Sequence, residues 1–159
     1  MHLSPAEVVA QRDWVRDRGD VVVPLVNDVR EGLGEAFDTT VDPIDDEGYR
    51  TVVDSTFADG DRAVNVAALV GLLRELDVEG DYPGFVVDEL LGRELAAMIA
   101  REQPLRLLAE ATFHYADVVH HPPGTAGADD LDAALAAGVQ TRVPGWDWTE
   151  TESPFGVDP

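Results

Sequence analysis

The chain has 159 residues, 45% of them hydrophobic, enough for one domain with a real core and too many for disorder throughout. It carries 32 acidic residues against 11 basic ones, all of them arginine, for a net charge of −21. That balance excludes a basic nucleic-acid stripe, and the absence of cysteine excludes disulfides, thiolate catalysis and cysteine-held zinc or iron–sulfur centres.

Ser4-Pro5-Ala6-Glu7 reads as a helix start, with Ser4 as N-cap, Pro5 in the first turn and Glu7 as the capping-box partner. Leu3 and Val8 occupy the two positions of a hydrophobic staple, and the helix is expected to run to about Arg18 and stop at Gly19. Nothing in Met1 to Glu7 resembles a basic n-region followed by an apolar h-region, so no secretory signal is expected. The apolar runs are also far shorter than the ~18 residues of a membrane span. Pro24 opens a second candidate helix, in which Leu25, Val29, Leu33, Ala36 and Phe37 follow helical spacing.

Residues 38–60 change character. Asp45-Asp46-Glu47-Gly48 reads as an acidic turn, and the β-branched and aromatic content of Tyr49 to Phe57 suggests one short strand or hairpin arm. Neither Gly48 nor Gly60 aligns the surrounding acids with the spacing of a calcium-binding loop, so these turns read as solvated.

From Asp61 the helical signal is strong again. Val66, Leu69, Val70, Leu73 and Leu76 form one face of a helix ending near Asp77. Pro83 marks entry to the next, where Val87, Leu90, Leu91, Leu95, Met98 and Ile99 make a wide apolar stripe. Pro104 turns or kinks that helix, a further helix runs to His121, and a short one spans about Asp129 to Ala137, with Gly138 as its stop signal. Val139 to Pro159 reads as an irregular tail whose Trp146, Trp148 and Phe155 pack back on the domain.

The expected fold is therefore mainly α: a bundle-like single domain of five to six helices with a short irregular or β insertion near 38–60. The helical domain covers 1–138, the tail covers 139–159, and the stripes at 66–76 and 87–99 form the centre of the core.

The charge is spread evenly. Residues 1–80 hold 18 acids and 7 arginines, and residues 81–159 hold 14 acids and 4 arginines. Such spreading fits a surface suited to a salt-accumulating cytoplasm better than a dedicated acidic tail or nucleic-acid mimic.

Two constellations carry possible chemistry. At about 100° per residue, Glu110, His114, Asp117 and His121 share one narrow stripe of their helix. These are ligand types for a divalent metal, with an i, i+4 pair as the realistic unit, but the stripe is also where a solvated face belongs, opposite Leu108, Tyr115 and Val119. The second is Glu94, an ionisable group inside the apolar stripe of the preceding helix, suited either to catalysis or to pairing with an arginine. A helical hairpin at Pro104 would bring Glu94 level with Thr112 to His114.

No phosphate loop, nucleophile elbow or His-Glu-x-x-His helix is present. The reading that follows is a noncatalytic helical binding or regulatory module of a halophilic cytoplasm, acting through a protein partner or as a homodimer, with no nucleic acid and no membrane. The alternative is a metal-dependent hydrolase or oxidoreductase with Glu110, His114, Asp117 and His121 as ligands and Glu94 as bridging ligand or general base.

Overall fold

In a computed structural model the chain is mainly helical and is described over residues 1–120 and 128–146 and at 152, 156, 157 and 159. Seven helices follow in order among the described residues: α1 (Pro5–Asp17), α2 (Gly19–Ala36), α3 (Asp46–Ala58), α4 (Gly60–Glu75), α5 (Asp81–Ala100), α6 (Leu105–Val119) and α7 (Ala128–Arg142). No helix is long and apolar enough to cross a membrane.

The start of α1 follows its capping signal, with the Glu7 amide donating to Ser4 Oγ at 3.2 Å. Gly19 does not stop the chain. Arg18 closes α1 and opens α2, and a Cβ at Gly19 would collide with Asp46 of α3. Glycine leaves room there for the exposed Asp46 side chain where the α1–α2 corner approaches α3. Pro24 lies inside α2, with its ring exposed, and cannot donate the hydrogen bond to Asp20 that another residue would.

The segment 38–60 contains no strand; it holds α3. Asp45 caps it by accepting from the Gly48 amide at 2.8 Å, so the acidic run is a helix N-terminus where negative charge suits the dipole. Tyr49, Val53 and Thr56 are buried at i, i+4 and i+7, a helical period that overrides the β-branched composition. The Tyr49 hydroxyl donates to the Val15 carbonyl at 2.6 Å, joining α3 to α1. Burial, reinforced by the Asp132 carboxylate, pushes this hydroxyl well above the usual tyrosine value.

A titratable group raised on folding contributes stability that is fully present below its unfolded value, near pH 10 for tyrosine, and is lost as pH rises beyond it. Tyr49→Phe should therefore cost about 1 kcal/mol at neutral pH and flatten the fall in stability above about pH 10. Denaturation midpoints between neutral and alkaline pH check this; equal alkaline slopes in the two proteins would refute it.

The centre of the core is α7, which packs against α2, α5 and α6 most extensively and also touches α3 and α4. Every residue from Asp130 to Thr141 is buried, including four alanines. The helix runs to Arg142 and does not stop at Gly138, where a Cβ would press on Ile99 and the Ala96 carbonyl of α5. The stripes of α4 and α5 do enter the core through Val66, Val70, Leu73, Leu95 and Ile99, but they surround α7 and do not form its axis.

Trp146 is buried too, while Trp148 and Phe155 lie outside the described residues. Trp146 sits beside the most deeply buried charge among the described residues. Arg30, 1% exposed, donates to the carbonyls of Asp42 at 3.1 Å, Gln140 at 3.1 Å and Pro144 at 2.8 Å, with its guanidinium carbon 5.3 Å from the Trp146 ring centroid. One side chain on α2 thereby holds both the loop after α2 and the chain leaving α7.

Candidate functional site

α5 ends at Arg101, whose φ of 76° takes the chain out of the helix, and the cis Gln103–Pro104 bond leads into α6. The Gln103 side chain accepts from the Leu107 amide at 3.0 Å and satisfies one of the orphan donors of the first turn of α6. Pro104 thus turns the chain into a hairpin, and α6 runs back along α5.

The hairpin brings Glu94 to Arg106, with NH2 to Oε1 at 2.9 Å, while Nε of the same arginine lies 3.8 Å from Glu110 Oε1. His114 meets Glu89, Nε2 to Oε2 at 2.6 Å, and Glu89 is also held by Arg93 at 2.7 Å. Glu94 is therefore not level with His114. Arg106 reaches it from the first turn of α6, and His114, two turns further along, faces an earlier turn of α5. Asp117 is half-buried and partnered, and His121 lies outside the described residues. Among the described residues no group of three or more His, Asp or Glu could hold a metal ion. The side chains of this seam form arginine-neutralised pairs, and such partly exposed pairs are worth little individually.

A second charged cluster was hidden from the sequence because its members are far apart in the chain. Asp132 on α7 is buried and accepts from Arg18 Nε at 3.1 Å and NH2 at 2.5 Å, with His120 Nε2 3.4 Å away. The two-pronged Arg18 contact fixes the α1–α2 corner to α7 and leaves Asp132 compensated inside the protein.

The larger surprise is which face of α6 is buried. Ala109, Thr112, Phe113 and Ala116 point inward, toward α7 and α5. Leu107, Ala111 and Val118 point out, with Leu107 62% and Val118 66% exposed, and Tyr115 beside them is partly exposed with its hydroxyl end against Gly32 of α2. Of the residues expected on the buried side, Leu108 is buried, whereas Tyr115 and Val119 remain substantially exposed. Ala109 and Ala116 let α6 approach the alanine-rich α7 closely, and Phe113 fills the space over Gly92 of α5.

At the N-terminal end of this outward stripe, Phe37, Pro104, Leu107, Leu108 and Ala111 line an apolar groove of about 350 Å³ between α6 and the end of α2. Around the end of α2 from it lies an open bowl of about 630 Å³ whose lining includes Asp28, Glu31, Glu35 and Asp38. Phe37 lines the groove and its chain neighbour Asp38 lines the bowl. Among the described residues none of these four carboxylates has an ion-pair partner, and Arg30, though part of the bowl, is committed to backbone carbonyls.

The model of a domain family of unknown function, DUF7984, matches residues 1–159. The chain belongs to that family. No curated protein and no solved structure matches it. An apolar groove continuous with an outward helical stripe is a surface for packing, and it presents no convergent set of proton carriers.

Proposed function

We propose that the domain is a noncatalytic helical binding or regulatory module of a salt-accumulating cytoplasm, acting through a protein partner that packs on the outward face of α6. The observation that carries this reading is the stripe Leu107, Ala111, Tyr115 and Val118, with exposed Phe37 at its end, on a chain of net charge −21. Single exposed apolar residues are ordinary, but a contiguous stripe running into a groove marks an interaction surface. The spacing supports helix packing: Leu107, Ala111, Tyr115 and Val118 are separated by four, four and three residues and so lie along one side of the helix.

The experiment compares the parent protein with Leu107→Asp in high salt, by light scattering and by pull-down. Leu107 is mostly exposed, so the substitution should change fold stability by no more than about 0.5 kcal/mol and leave helicity intact. Binding should fall by about tenfold or more, as for the loss of a central apolar anchor. A partner retained by the parent and lost by the variant supports the reading. A strictly monomeric parent that captures nothing would overturn it.

A further inference from the structure

We infer that the occupant of this face is a basic amphipathic helix of another protein, seated with its apolar side on α6 and its cationic side toward the bowl at the end of α2. The inference rests on the docking role proposed above and names the chemistry of the partner.

Shape sets the apolar half of the argument. From Leu107 to Val118 the track is eleven residues, about 16 Å at 1.5 Å per residue, which suits a helix of about three turns. Ala111 near its middle keeps the surface low, so that a partner backbone can come close, while Phe37 and Leu107 flank the groove that would take one large apolar side chain.

Charge sets the other half. The two margins of the track differ. On the α5 side, Glu89 and Glu94 are already matched by Arg93 and Arg106. On the α2 side, Asp28, Glu31, Glu35 and Asp38 stand together, exposed, with no arginine available to them among the described residues. Four carboxylates converging on one concavity attract cations more strongly than the same charges dispersed. An apolar helix with arginine or lysine along that edge would gain on both counts. A second copy of this chain would instead bring another −21 charge to the contact.

The test is selection from a displayed library of helical peptides, randomised at every surface position, on the immobilised full chain in about 0.5 M KCl. At that salt the Debye length is about 4 Å, so the net self-repulsion is largely screened while attraction at contact range remains. Counter-selection uses Leu107→Asp. The enriched peptides are expected to carry apolar residues at i, i+4 and i+7 and a net positive charge. Their affinity should fall about tenfold or more with Leu107→Asp and several-fold with the Glu31→Gln/Glu35→Gln double variant.

Enriched peptides that are neutral or acidic, or binding unchanged in the double variant, would overturn the cationic class and leave the docking role standing. No enrichment together with a dimer that Leu107→Asp dissolves would assign the face to a second copy and also overturn the inference. No enrichment from a strict monomer would remove both this inference and the docking role.

Discussion

Replacing Arg30 with methionine is expected to lower the stability of the domain by about 3–5 kcal/mol, the range for breaking a buried charged network. The guanidinium satisfies the carbonyls of Asp42, Gln140 and Pro144, and lies 3.5 Å from that of Val143. Each buried acceptor left without a partner costs about 1–3 kcal/mol, and the carbonyls nearest the surface will recover part of that from water. Burial itself disfavours the charge, which lowers the Arg30 pKa, and the neighbouring Asp42 only partly offsets this. Removing the cation therefore returns some desolvation energy, so the total falls short of three full penalties.

Lysine should rescue little. A single ammonium cannot reproduce a planar fork that reaches the loop after α2 and the chain after α7 together. The control is Arg12→Met, because exposed Arg12 pairs only with its neighbour Asp13 and should change stability by no more than about 0.5 kcal/mol. Chemical denaturation in molar KCl measures all three. With about 2–4 °C per kcal/mol in a domain of this size, Arg30→Met should melt about 10 °C lower. A loss below about 1 kcal/mol would show that water replaces the guanidinium at no cost, contrary to the burial of Arg30.

Moving the protein from molar KCl to dilute buffer is expected to have a comparable or larger effect. Even if each of the 11 arginines neutralised one carboxylate, 21 would remain uncompensated on a chain of 159 residues. The Debye length is about 3 Å at 1 M and about 30 Å at 0.01 M, so dilution lets charges across the whole domain repel one another. Two effects compete, since dilution also strengthens the arginine pairs. Most of those are partly exposed and worth at most about 1 kcal/mol each, whereas the repulsion acts among all the unmatched acids at once. Repulsion should win, and helicity should fall in dilute buffer and return in KCl, with Tm rising by about 10 °C or more across the titration. A Tm indifferent to salt would remove the argument for a salt-accumulating cytoplasm.

Where a helix is amphipathic in the ordinary sense, its residues announce it. Ser4 and Glu7 mark the start of α1, and the spacing of Val66, Val70 and Leu73 marks α4. The turn at Pro104 was visible as an alternative between turn and kink, and α5 packing along α6 decided it. At Tyr49 the β-branched composition points to a strand, but the period of buried Tyr49, Val53 and Thr56 and the Asp45 cap make a helix.

The candidate site was less legible. The residues singled out by chemistry, Glu94, Glu110 and His114, proved to belong to a seam of charge pairs with Arg106 and Glu89. The docking face lies on the same helix, about a quarter turn away, and includes Tyr115, which periodicity assigns to the interior.

By itself the sequence determined a helical, arginine-only, strongly acidic chain, because composition and local spacing are properties of neighbouring residues. Only the tertiary structure decided that α7 is the axis and that α6 leaves Leu107 and Val118 outward. A helix buried on every side, as α7 is from Asp130 to Thr141, leaves no amphipathic period to read. A helix with apolar residues on most of its faces, as α6 has, can bury one set only, and its neighbours choose which. Contacts such as Arg18 to Asp132 and Arg30 to Pro144 each join residues 114 positions apart, and no local pattern encodes a partner at that distance.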